Sequence, residues 1–307
     1  IEAVAVFWPT LGFGLLNWDD PLHLTGNPYL ATPWKFWVEP YGKLYIPVSY
    51  SVWAAVWPLC VDGSGGAVTA VPLRVLNVAT HAVNVALVVA VLRTLKIDKS
   101  AAAVGAAIFA VHPIQTEAVA WVSEFRGLSA ATFSLTCILL YLRGRWALAA
   151  GALGLALLCK PSAVAVPVML LAVVAMAAPG ERRKAVWRLL PQFVLAGAVT
   201  VGMAVWIQSA DDPQLAVPWH LRPLVACDAV RHYVASVMLP YGYTADYSRT
   251  PGLAMRTTWF WGSWVVPAGL LAAAWKWKVM RVPVIFGVGA LVPVLGLVPF
   301  EFQRIST

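Results

Sequence analysis

Two carboxylates stand side by side at Asp19 and Asp20, in the stretch GLLNWDDPLHLTGNPY (14–29), immediately after an apolar run. Further along come Glu117, Glu124 and Arg126, and then Lys160, which closes another apolar run just before Pro161. At a membrane edge, a carboxylate can deprotonate an incoming hydroxyl or hold a divalent metal. Lysine and arginine can stabilise negative charge that develops on a departing phosphate. Together these residue types fit transfer of a group from a phosphate leaving group to a hydroxyl. A lone amine at the end of an apolar helix is costly unless paired, and a lipid phosphate would pair Lys160.

Each residue also has a plainer reading. Asp19-Asp20 before Pro21 can be an Asx turn or a helix N-cap. His112-Pro113 can be a helix break. Arg74, Asn77, His81 and Asn84 recur at helical spacing within an apolar run. Such a stripe more often makes interhelical hydrogen bonds than it contacts a ligand. Arg222 and Arg231 can simply touch headgroups. The four cysteines (60, 137, 159 and 227) lack metal-ligand spacing and read as packing residues.

The elements that must position these side chains are membrane helices. The 307 residues are 60% hydrophobic and 12% charged, against roughly 25% charged in soluble domains. That deficit runs the length of the chain and implies an all-α polytopic membrane protein. The length allows roughly 8 to 11 helices. Net charge is +8, which suits anionic headgroups. No basic run lies outside the expected membrane edges, so nucleic acid is not an expected partner. Spans are expected at 3–16, 72–95, 100–111, 127–142, 146–159, 162–178, 189–207, 259–275 and 282–298. A long first outer loop, 17–70, carries two helices, PWKFW and IPVSYSVWAAVWPLC, expected in the interface. An amphipathic segment is expected over 114–126, with Glu117 and Glu124 on one face.

The segment 221–239 is long enough to span but holds Arg222, Asp228, Arg231 and His232. Leaving it unspanned keeps the basic turns, including Lys276, Lys278 and Arg281, on one side, in accord with the positive-inside rule. The WDD loop, 112–126, Lys160, a second outer region at 208–257 and the end of the sequence then share the opposite face. The chain lacks an initiator Met, and a fragment of a longer protein is expected.

Several blocks resemble one family. WDDPLHLTGNPYL, PLRVLNVATHAVNVALV, HPIQTEAVAWVSEFRGLSAATFSL, LLCKPSAVAVPVMLL, DDPQ with RHYVASVMLPYGYTADYS, and LVPVLGLVPFEFQR occur in that order. They are similar to segments of the membrane O-mannosyltransferases that carry tetratricopeptide repeats, and of their bacterial relatives. The resemblance implies a single GT-C-like domain over 1–307, a bundle of about nine to ten transmembrane helices, without the family's repeats. It implies an inverting glycosyltransferase with a polyprenyl-phosphate-linked sugar donor. The acceptor would be a hydroxyl on a protein or glycan, approached from the outer, periplasmic face of a bacterial inner membrane. By the same resemblance Asp19 or Asp20 is the catalytic carboxylate. Glu117, Arg126 and Lys160 fall in or beside the donor pocket, and Arg304 just before a motif the sequence does not reach. Lys43, His81, His112 and Arg231 complete the candidate donor contacts. The adjacent aspartates permit a divalent metal without requiring one.

The sequence departs from the family at two charges. Where bacterial relatives read SERKD, this chain has Ser123-Glu124-Phe125-Arg126-Gly127, which places Phe at the usual Arg and Gly at the usual Asp. An Arg-Pro of the first loop is Ile46-Pro47 here, with Lys43 the nearest cation. These departures motivate an alternative: a catalytically degenerate GT-C-fold protein serving as a structural subunit beside other membrane subunits. A transporter is disfavoured, because no inverted repeat is visible.

Overall fold

The computed structural model describes residues 2–62, 68–176, 180–206, 218–240, 242–243, 251–295 and 297. The regular elements among the described residues are helices, and the extended pairing among them is limited to two isolated bridges, Tyr41 with Leu44 and Val61 with Val68. The chain forms two compact units, Ile1–Ala163 with Ala198–Met203, and Val164–Gly197 with Ala204–Thr307.

In the first unit the helices are α1 (Glu2–Phe7), α2 (Pro47–Val56), α3 (Val71–Thr94), α4 (Lys99–Val111), α5 (Gln115–Ala120), α6 (Phe125–Leu142) and α7 (Trp146–Leu157). α3 is long and apolar enough to cross a membrane, as are α6 with its preceding turn (Val122–Leu142) and Arg182–Met203. α3 shows why lipid is its solvent. It turns Arg74, Asn77, His81 and Asn84 inward, each no more than 1% exposed, and leaves Val75 and Val83 about half exposed. That is the inverse of a helix in water, and it is stable only where the exterior is apolar and the polar groups bond inside. α4 sets Ala102, Ala106 and Ala110 inward and Val104 and Ile108 outward. Small residues four apart let two helices approach closely, and α4 packs on α3 in this way. The protein is an integral membrane protein.

The inward stripe of α3 binds carbonyls. Arg74 Nε donates to Phe13 O at 2.8 Å, Nη1 to Ala120 O at 2.5 Å, and Nη2 to Gly14 O. Asn77 donates to Val119 O and Trp121 O, and Asn84 to Leu128 O. These bonds explain why 114–126 is not the continuous amphipathic helix expected. α5 stops at Ala120, Trp121 is extended (φ −91°, ψ 120°), a 3-10 turn follows at Val122–Glu124, and α6 starts at Phe125. Side-chain donors from α3 satisfy the carbonyls that a continuing helix would have used.

The first loop has its own core. Phe36 stacks on Tyr50 at 4.5 Å between centroids, Tyr29 and Tyr41 pack around them, and Trp53 meets Phe125 at 6.0 Å. Both expected loop helices form: PWKFW is a 3-10 turn and IPVSYSVWAAV contains α2. α2 turns Ser49, Tyr50 and Trp53 into this core. Phe125, the residue standing where the resemblance expects Arg, is 3% exposed within it.

The second unit contains α8 (Val166–Met176), α9 (Arg182–Trp206), α10 (Arg222–Met238), α11 (Pro251–Ala254), α12 (Thr258–Trp261), α13 (Val265–Lys276) and α14 (Arg281–Leu291). α9 also runs through the short stretch assigned to the first unit. The expected span 259–275 is interrupted between α12 and α13. α8 and α14 pack tightly at Gly289, where a Cβ would lie 3.2 Å from Met169 N. The ambiguous 221–239 segment is α10, 17 residues long.

Truncating Phe125 removes the contact that couples the loop core to α6. Phe125→Ala is expected to cost about 3 kcal/mol. Hydrogen exchange in detergent should show the faster exchange concentrated in residues 24–60 relative to α3.

Candidate functional site

The two aspartates have opposite surroundings, although they are adjacent. Asp20 is 0% exposed. Its Oδ1 accepts from Trp121 Nε1 and Ser123 N, both at 3.1 Å, and from Ser123 Oγ; its Oδ2 accepts from Leu16 N at 2.8 Å. Both oxygens are thus engaged by neutral donors. Asp20 ties the first loop to the break between α5 and α6. Neither aspartate caps the helical turn Pro21–Thr25 that follows. Asp20→Asn replaces one acceptor with a donor inside this set, and is expected to lower stability by about 1–3 kcal/mol, read as a drop in melting temperature in detergent.

Asp19 is open, its side chain 31% exposed. Oδ2 accepts from Arg126 Nη2 at 2.9 Å, and Oδ1 has no hydrogen-bond partner among the described residues. Arg126 Nε donates to Glu124 Oε1 at 3.2 Å, and Lys160 Nζ donates to Glu124 Oε2 at 2.8 Å. Asp19, Arg126, Glu124 and Lys160 therefore form one run of alternating charge. Its middle is largely buried, with Arg126 14% and Glu124 13% exposed, and its ends are open, with Lys160 at 33%.

Three elements hold this run together. Asp19 comes from the loop, Glu124 and Arg126 from the start of α6, and Lys160 from the end of α7. Ser49 of α2 binds the last two elements, reaching Ser129 Oγ at 3.1 Å and donating to Cys159 O at 3.2 Å. Val48 N donates to Leu158 O. Gly127 leaves the space that the pair needs, since a Cβ there would lie 2.7 Å from Glu124 Oε2 and 3.4 Å from Lys160 Nζ.

His23 completes the site. Its Nε2 lies 3.1 Å from Arg126 Nη1 and its Nδ1 lies 2.8 Å from Tyr50 Oη. A guanidinium only donates, so Nε2 must carry the lone pair and Nδ1 the proton that goes to Tyr50. Burial first, and then the Arg126 charge, lower the His23 pKa to about 4 against the opposing charges of Asp19 and Glu124. Burial raises the Tyr50 hydroxyl well above its ordinary value. His23 is neutral at pH 7 and orients Arg126 without adding charge. An unfolded chain takes up a proton at His23 below about pH 6.5, whereas the folded chain does not until about pH 4. Stability is therefore fully present above pH 6.5 and falls as pH drops through that window, by about 3 kcal/mol at most. Thermal melts from pH 7 to pH 4 should show this decline, and His23→Gln should remove the part due to His23.

The other expected site residues lie elsewhere. His81 is buried between Phe7 and Phe109, its Nε2 2.9 Å from Ala110 O. His112 ends α4, where its Nδ1 accepts from Ile114 N. Lys43 sits exposed in the turn between Tyr41 and Leu44, with φ +61° following Gly42 at +56°. Glu117 is exposed on α5. Arg231, in the second unit, pairs with Asp228 at 2.9 Å. Arg304 lies outside the described residues, as do 208–217, 241 and 244–250 of the 208–257 region. Sequence reasoning did not single out His23, Tyr50 or Ser123. His23 carried one visible signal, its position four residues after Asp19, and the two side chains do approach to 4.0 Å.

A divalent metal does not fit this arrangement. Asp20 has no oxygen to give, and no group of three His, Cys, Asp or Glu side chains among the described residues could hold an ion. The four cysteines are free thiols, three of them buried.

Compared with known proteins, the chain is 35% identical over 159 residues to the protein O-mannosyl-transferase Tmtc2 of Drosophila melanogaster. It is distantly related to that membrane enzyme. The match covers 47% of this chain and 16% of the fly protein. No family model and no solved structure matches the chain.

Proposed function

We propose that this chain is an inverting membrane glycosyltransferase of GT-C type. It moves a hexose from a polyprenyl-phosphate donor to an acceptor hydroxyl on a protein or glycan. The reaction takes place on the non-cytoplasmic face, which is periplasmic in a bacterial inner membrane. The observation that carries this reading is Asp19, a carboxylate with one oxygen held by Arg126 and the other open. The relation to an O-mannosyl-transferase supports the substrate class.

In this mechanism Asp19 takes the proton from the acceptor hydroxyl as its oxygen attacks the anomeric carbon. The bond from that carbon to the phosphate oxygen breaks in the same displacement. Lys160 and Arg126 stabilise the charge left on the lipid phosphate. Arg126 also fixes the direction of the Asp19 carboxylate, and His23 fixes Arg126. Asp20 is the anchor that brings Asp19 to α6.

One observation favours the degenerate-subunit reading. The four side chains of the charge run neutralise each other, as a purely structural cluster would. Turnover separates the two readings. Asp19→Asn is expected to reduce donor-dependent transfer at least about 100-fold, the usual contribution of a general base, in a protein that still folds, with a melting temperature lowered by loss of the Arg126 ion pair. Transfer at the wild-type rate by a folded Asp19→Asn protein overturns the transferase assignment of Asp19. Donor-dependent turnover by the monodisperse wild-type chain removes the subunit reading.

A further inference from the structure

We infer that Glu124 occupies the place of the donor's phosphate, and that it must release Lys160 and Arg126 before that phosphate can bind. The inference rests on the donor reading above and goes beyond it by assigning a gate.

Three observations lead to it. The first is charge. Asp19 and Glu124 offset Arg126 and Lys160, so the resting site has no surplus positive charge with which to hold an anion. A phosphate brought beside an ionised Glu124 meets a like charge in a poorly solvated setting, where such repulsion is strong.

The second is attachment. Asp20 is held by backbone and neutral side-chain donors and cannot move without breaking the loop. The Glu124 carboxylate is held by the two cations, Nε of Arg126 on one oxygen and Nζ of Lys160 on the other. Two oxygens bridging two cations is also the arrangement that two phosphate oxygens would make. The exchange therefore needs no new cation.

The third is space. The carboxylate lies over Gly127, in the volume that any larger residue at 127 would claim. Gly127 stands where the resemblance expects Asp, so here the helix position is emptied and the side chain from 124 fills it. Phe125, the other departure, points into the loop core and takes no part.

The test is equilibrium binding of a labelled polyprenyl monophosphate to the purified chain in lipid nanodiscs, with the matching polyprenol and inorganic phosphate as competitors. Glu124→Gln frees both cations and is expected to tighten polyprenyl phosphate binding roughly tenfold, a modest share of what one adjacent like charge is worth. Glu124→Ala removes the carboxylate without adding bulk where the phosphate goes, and is expected to tighten binding in the same direction. Lys160→Gln should weaken binding, and adding Glu124→Gln to it should restore little. The polyprenol should not compete. Competition by inorganic phosphate supports the exchange and assigns recognition to phosphate as such, while its failure to compete supports the exchange with the lipid chain required. Melting temperatures in the same nanodiscs establish that each variant is folded. Wild-type binding that is unchanged or weakened in both folded Glu124→Gln and folded Glu124→Ala overturns the gate alone. No binding by the wild type or by either variant overturns the gate together with the donor reading.

Discussion

The break between α5 and α6 is the constraint on which the rest of the first unit depends. It leaves the carbonyls of Val119 and Ala120, and the N–H of Ser123, without helical partners beside a membrane span. Unpaired backbone groups there cost several kcal/mol each. Arg74 and Asn77 take the carbonyls, and Asp20 takes the N–H. One long helix and one loop carboxylate thus meet at the same few peptide groups. The same bonds fix where α6 begins, and Glu124 and Arg126 sit at that beginning.

That arrangement explains how two neighbouring aspartates come to have different roles. Chain direction sends consecutive side chains to different sides of the loop. Asp20 is directed into the break and saturated. Asp19 is directed to Arg126 and left half free. Arg126 then joins the loop to α6, while Glu124 joins α6 to Lys160 at the end of α7. The aromatic core around Phe36, Tyr50 and Trp53 keeps the loop in register, and His23 couples that core to Arg126 through a neutral ring. A charged imidazole would oppose Arg126, so burial and the contact with Arg126 favour the same protonation state.

The charge run is balanced in this resting state. Such internal neutralisation leaves neither cation bare, and on the proposed reading it is what an incoming phosphate must displace. The departures at 125 and 127 have physical accounts within the fold. Phe125 is spent on the loop core, and Gly127 on the Glu124–Lys160 pair.

Much of this was legible in the sequence. The charge deficit and apolar runs determined a helical membrane protein, because lipid leaves the backbone few alternatives. The i, i+3, i+7, i+10 spacing of Arg74, Asn77, His81 and Asn84 determined that α3 has an inward polar face. The Asp pair, Arg126 and Lys160 were identifiable as chemistry-bearing residues from type and position. Only the tertiary structure decided that Asp19 is open and Asp20 closed, since adjacent residues of one type carry no local signal of which way each will face. Only it decided that the 114–126 segment breaks at Trp121, because the competing donors come from residues more than 40 positions away. And only it joined Glu124 to Lys160 across 36 positions, a pairing set by how α6 and α7 pack, which no spacing within either helix encodes.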